Sequence, residues 1–204
     1  SFVLLPIMPP HSAARAAPRA HNRLSQILDE AAKLFREKGF QATSVRDIVR
    51  AVDMLPGSLY YHFAAKEDLL VAVYAEGVRR ISDSVTRAVE CRTDPWERLE
   101  AACIGHLEAL LQESDYAQVV IRVRPSDAMS VADELIKLRD EYEKIFNDLI
   151  AALPLARGVD RRSLKLMLMG ALNWSQTWYQ PGRTTPAAIA KRFVALLKEP
   201  LVKD

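Results

Sequence analysis

The chain is poor in the residues that carry most active-site chemistry, with two cysteines and four histidines among 204 residues. Cys91 and Cys103 belong to no CxxC pair and no HxxxH spacing accompanies them, which excludes a disulfide framework and a zinc set. Both are expected to be reduced, buried thiols. HExxH, P-loop, GxGxxG and repeated Glu-x-x-His patterns are missing as well, so no metal or cofactor is expected and only scattered carboxylates remain for acid–base work. No run approaches the roughly 18 apolar residues of a membrane span. The opening SFVLLPIMPP is apolar, yet it holds three prolines and no charged n-region, a poor fit to a secretory signal. A soluble, cytoplasmic protein without a membrane partner is expected. A large charge excess is also lacking, at a formal net of +2.

What the chain does have is apolar mass and an uneven charge. Half of its residues are hydrophobic, enough for a sizeable core. Between Arg15 and Lys66 there are nine Lys/Arg against five Asp/Glu, so that stretch carries +4 and the remainder −2. The asymmetry favours a polyanionic partner for the N-terminal part, although a solvated basic face has the same composition.

Residues 1–21 mix Pro, Ala and Arg without periodicity and read as a flexible arm, with Arg15, Arg19 and Arg23 near its junction with the fold. Such an arm either reaches a minor groove or is a tail without a role. From Asn22, the residues Leu24, Ile27, Leu28, Ala31, Leu34 and Phe35 keep helical spacing until Gly39. Thr43 is expected to cap a second helix, whose apolar face is Val45, Ile48, Val49 and Val52. Asp53, Met54 and Leu55 break the pattern, and Pro56 restarts it for a short helix reaching about His62. There Leu59 and Phe63 can be buried while Ser58, Tyr60, Tyr61 and His62 share the rest. Two helices, a tight turn and a small, aromatic, polar surface suit the DNA major groove.

Helical patterns continue over Lys66–Cys91, Asp94–Ser114, Tyr116–Arg122, Ser130–Leu153, a segment opened by Asp160 and a last helix capped by Thr185-Pro186. His106 lies on an apolar stripe and reads as a buried, hydrogen-bonded histidine, since no second ligand is spaced to join it. From Leu164 to Trp178 apolar residues occur on every side, which requires cover all round: the subunit's own core on one side and a partner subunit on the other. No strand-like alternation survives anywhere. The expected fold is all-α, with about nine helices.

Thr43, Arg46, Ile48 and Ala51, then Gly57-Ser58-Leu59-Tyr60-Tyr61-His62-Phe63 and Lys66-Glu67-Asp68-Leu69, resemble the N-terminal domain of TetR-family transcriptional regulators. The resemblance implies a helix-turn-helix domain over residues 22–68 and an effector-binding and dimerisation domain over 69–204. It implies a homodimeric repressor that a small hydrophobic effector releases from double-stranded operator DNA; an activator of the same fold is the nearest alternative, and an all-α enzyme acting on an acyl substrate the contrasting one. Carried over residue by residue, Pro56, Gly57, Ser58, Tyr60, Tyr61 and His62 would meet bases and phosphates, with Thr43, Arg46 and Lys66 as phosphate clamps. The last two helices would form the dimer interface through Leu172, Ile189, Phe193, Leu196 and Leu197. The ending Trp174-Ser175-Gln176-Thr177-Trp178-Tyr179-Gln180-Pro181-Gly182 is similar to a subgroup that responds to acyl-CoA thioesters in lipid and steroid catabolism. That likeness suggests Met129, Met167, Trp174 and Trp178 as apolar pocket walls and Arg122 or Arg124 as partners of an anionic group.

The sequence departs from the family at the turn. Where relatives have Ala-Gly-Val-Ser, this chain has Val52-Asp53-Met54-Leu55, so an Asp must take the left-handed conformation of the Gly and a Leu stands in place of the capping Ser. Losing that cap is expected to cost about 1 kcal/mol of helix stability. Ala65 likewise replaces the usual cap before Lys66.

Overall fold

A computed structural model describes residues 16–112 and 114–201, and nine α-helices with no strand make up those residues. The protein is all-α. Helix α1, Ala16–Lys38, buries Ile27, Ala31, Ala32 and Phe35, and it ends where Gly39 takes φ +84°. It begins six residues before Asn22, so residues 16–21, expected in a flexible arm, are helical; the rest of that expectation, residues 1–15, lies outside the described residues.

Helix α2, Val45–Ala51, is capped by Ser44 and not by Thr43. The Ser44 hydroxyl accepts from Asp47 N–H at 3.2 Å while the Asp47 carboxylate accepts from Ser44 N–H at 2.9 Å, a reciprocal capping box. Asp53 turns the chain at φ +50°, the left-handed residue that the sequence required there. Helix α3, Pro56–Tyr60, follows and is two residues shorter than the pattern suggested. Leu55 gives it no side-chain cap.

The long helix α4, Lys66–Val89, buries Leu69, Leu70, Val73, Tyr74, Val78, Ile81 and Val85 along one side and runs from the helix-turn-helix into the C-terminal helices. At its start only half a capping box exists, the Asp68 carboxylate accepting from Ala65 N–H at 2.9 Å. Helix α5, Pro95–Leu111, is capped by Asp94, whose carboxylate accepts from the N–H groups of Trp96 and Glu97. It packs on α4 with backbones close together: the Ser84 hydroxyl donates to Gly105 O at 3.0 Å. Helix α6, Asp115–Arg122, and 3₁₀ turns at Pro125–Asp127 and Met129–Val131 lead to α7, Ala132–Ala151. Arg161 opens α8, Arg161–Trp174, and donates to the Ile150 and Leu153 carbonyls at and just beyond the end of α7. A 3₁₀ turn, Ser175–Thr177, separates α8 from α9, Pro186–Leu201, which packs against α5. Among the described residues, no helix is long and apolar enough to cross a membrane.

Two expectations about burial need correction. Cys103 is buried but Cys91, beyond the end of α4, is exposed. Leu172, Ile189 and Leu197, expected at a dimer surface, lie in the subunit's own core at 8 % exposure or less. An apolar pattern on all sides of α8 does not say which side faces inward, and here Leu164, Leu168, Met169 and Leu172 do.

Candidate DNA-reading surface and effector cavity

The helix-turn-helix exposes what a major-groove reader needs. Leu59 anchors α3 in the core at 2 % exposure, which leaves Gly57, Tyr60 and Tyr61 exposed and Ser58 and His62 half-buried. Tyr61 is 87 % exposed, its ring edge-on to His62 at 5.3 Å between centroids. Arg46 is exposed on α2, as is Arg50 one turn further on. The Pro56 side chain lies outside the described residues.

Two of the nine expected DNA contacts are engaged elsewhere. Thr43 is 1 % exposed, and its hydroxyl donates to Gly39 O at 2.8 Å and Leu34 O at 3.2 Å, fastening the end of α1 to the start of α2. A hydroxyl so enclosed meets no phosphate. The Lys66 ammonium donates to Phe40 O at 2.9 Å and Thr43 O at 3.0 Å and sits 4.3 Å from the Phe40 ring centroid. It clamps the α1–α2 loop rather than a phosphate, because two of its three donors are already used on carbonyls. Ser44 and Arg50, which sequence reasoning passed over, are exposed as well.

Behind this unit lies a cavity of about 240 Å³. Its apolar wall includes Ile81, Leu110, Val120, Ile121 and Met169, from α4, α5, α6 and α8; its polar groups are Tyr74, His106, Tyr142, Asn173, Arg124, Arg139 and the Glu143 carboxylate, 3.7 Å from Arg139. Of the residues expected to bind an effector, only Arg124 lines it. Met129, Met167, Trp174 and Trp178 are exposed at 75, 57, 67 and 46 %, so they are surface and not pocket wall. Arg122 lines instead a cleft of about 220 Å³ with Arg36, Gln118, Gln176 and Tyr179. The sequence held no sign that His106, Tyr142 and Asn173, on three helices, converge.

They form one hydrogen-bonded chain. His106 Nδ1 is 2.5 Å from the Tyr142 hydroxyl and Nε2 is 3.1 Å from Asn173 Oδ1. A neutral ring that accepts from Tyr142 O–H and donates to Asn173 satisfies both contacts. Burial holds the His106 pKa down to about 4 from its ordinary 6.5, against the opposing hydrogen bond that the ring donates to Asn173. Burial likewise raises Tyr142. Between those two pKa values the unfolded chain binds a proton that the folded chain does not. Stability is therefore expected to fall by roughly 3 kcal/mol as pH drops from 6.5 to 4, and His106→Asn to lose that slope, as urea titrations at stepped pH would show.

The cavity and the DNA-reading unit share a wall. The Tyr116 hydroxyl on α6 donates to Asp29 on α1 at 2.8 Å, with the Arg80 guanidinium 4.1 Å over the Tyr116 ring. Arg36 pairs with Asp115 at 2.8 Å, and the Gln41 amide donates to Asp127 O. Burial and the bond to Asp29 push the Tyr116 phenol up, so it stays a donor. Glu76 is held down to about 2 by Arg79 and then Arg80, which fixes the α4 side of the junction.

A helix-turn-helix whose supporting helix packs on a second, larger helical unit with its own cavity defines a class of DNA-binding regulator. The comparisons agree. Residues 27–73 match the model for bacterial regulatory proteins of the tetR family, and residues 92–201 match the tetracyclin repressor-like C-terminal domain. The chain belongs to the TetR family of transcriptional regulators. It is 27 % identical to the HTH-type transcriptional repressor KstR2 of Mycobacterium tuberculosis over 93 % of this chain and 98 % of that protein. It is 21 % identical to the fatty acid metabolism regulator protein of Bacillus subtilis over 74 % of this chain and 80 % of that one. The structure of AibR in complex with isovaleryl coenzyme A and operator DNA superposes with a TM-score of 0.73 at 25 % identity, covering 85 % of this chain and 97 % of that chain.

Proposed function

We propose that the protein is a homodimeric repressor, acting on operator DNA in the cytoplasm, which a small effector with a short apolar body releases. The observation that carries this reading is the shared wall: α6 lines the cavity through Val120 and Ile121 and holds α1 through Tyr116 and Asp115. A ligand that repositions α6 biases the orientation of the DNA-reading unit, and two such units must stand about 34 Å apart to enter successive major grooves. An acyl thioester is the effector class we favour. A cavity of about 240 Å³ takes a short acyl group and not a coenzyme, whose anionic part would remain outside near Arg124 and Arg139. The relative AibR, crystallised with isovaleryl coenzyme A, supports that class. Arg46, Gly57, Ser58, Tyr60, Tyr61 and His62 are the contacts proposed for DNA, joined by Ser44 and Arg50.

A mobility-shift titration against the DNA flanking its own gene tests the reading. Tyr61→Ala is expected to weaken the shift about tenfold or more while leaving the melting temperature in place, since the ring is exposed. A panel of short acyl-CoA esters is expected to release the DNA. If Tyr61→Ala binds as wild type does, the surface assignment fails.

A further inference from the structure

Leu55 is 77 % exposed and stands immediately before α3 with φ −79° and ψ 146°. Residues at such a position are usually Ser, Thr, Asp or Asn, whose side-chain oxygen satisfies a free helix N–H. Leu55 supplies none. Its main chain is still well held: Met54 N–H donates to Val49 O at 2.8 Å, and Ser58 N–H donates to Leu55 O at 2.9 Å. A branched apolar side chain is thus presented to solvent from a fixed backbone, outside the packed core.

Single exposed leucines are common and need no explanation. This one differs in its company, because exposed Gly57, Tyr60 and Tyr61 follow it on the stretch by which a helix-turn-helix enters the major groove. Base edges there display donors, acceptors and one apolar group, the C5 methyl of thymine. An isobutyl group has no other complement on that surface, and a carboxylate, amide or hydroxyl at position 55 would have been drawn instead to the α3 N–H groups. We infer that Leu55 reads a thymine methyl in each operator half-site and so sets part of the sequence specificity. The inference rests on the operator-binding reading above.

The test uses duplexes selected from a random library by the full-length protein, with thymines then replaced one at a time by uracil, which lacks only the methyl. Wild type is expected to bind about fourfold more weakly when one particular thymine of a half-site is replaced, the loss of one buried methyl contact. Leu55→Ser is expected to fold at least as stably, because it restores a cap, and to be indifferent to that replacement. A flat uracil scan for wild type overturns the methyl contact alone, as does a Leu55→Ser protein with undiminished uracil sensitivity. Failure of wild type to select any sequence overturns the operator-binding reading as well, which keeps the two apart.

Discussion

Gly105→Ala is expected to lower stability by about 2 kcal/mol, a fall in melting temperature of about 4–8 °C for a chain of this size. A Cβ on Gly105 would stand 2.9 Å from Ser84 O and 3.1 Å from Ser84 C and Val85 Cα. All three are backbone atoms of α4 and cannot swing aside. The added methyl gains about 1 kcal/mol of helix propensity, but overpacking of this kind costs typically 1–3 kcal/mol and more where main chain must move. Separating the helices also stretches the Ser84–Gly105 bond. Gly77→Ala acts with the same sign two turns earlier on the same side of α4, where the Cβ would meet Val120 Cγ2 at 2.6 Å and Tyr116 O at 2.8 Å. That second variant moves α6, and with it both the cavity wall and the Tyr116–Asp29 junction. It is therefore expected to change the effector concentration needed for release, which Gly105→Ala leaves closer to wild type. Thermal melts paired with release titrations check both; a melt within 1 °C of wild type for either variant would show that the helices have room the close contacts deny.

Why these helices form was largely legible in the sequence. Gly39 ends α1 in the left-handed region, Asp94-Pro95 opens α5, and Asp53 does take the positive φ that the turn needs. Each depends on a local rule that acts within a few residues. The error at Thr43 was also local: Ser44 and Asp47 stand in capping-box spacing, and that signal outranks a lone threonine one residue earlier. Lys66 shows the limit of such reading. A lysine at a helix start beside a DNA-binding motif suggests a phosphate, and only the folded chain brings it to the carbonyls of Phe40 and Thr43.

The cavity was hidden for a different reason. Periodicity tells which residues of one helix share a face, but not which faces of several helices leave a gap between them. His106 and Tyr142 could be assigned to apolar stripes of α5 and α7, yet their 2.5 Å contact, and the Asn173 carboxamide beyond it, are products of packing. The same blindness reversed the roles of the last helices: Trp174 and Trp178 were expected around a ligand and stand outside, while Leu172 and Leu197 were expected outside and are buried.

That reversal sharpens the proposed dimer. Met167, Gly170 and Trp174 follow one another at i, i+3 and i+7 on α8, all exposed, and Leu166 on the same helix, Trp178 after it and Leu196 on α9 are exposed large apolar residues as well. Phe193 on α9 is edge-on to Trp178, which follows the 3₁₀ turn, at 6.5 Å between ring centroids. Replacing both Met167 and Trp174 with aspartate is expected to leave the subunit folded, since neither side chain contributes to its core. Should a second copy cover this face, a two-fold axis places four carboxylates in one interface, and each unpaired buried charge costs several kcal/mol. The variant is then expected to elute as a monomer in light-scattering measurements. Each monomer still presents an intact α3, so half-site contact survives while the linkage between half-sites is lost. Operator affinity is expected to fall about 100-fold or more, the loss of effective concentration on going from bivalent to monovalent binding. A variant that stays dimeric would place the interface elsewhere; one that becomes monomeric yet binds the full operator as tightly as wild type would remove dimerisation from the mechanism.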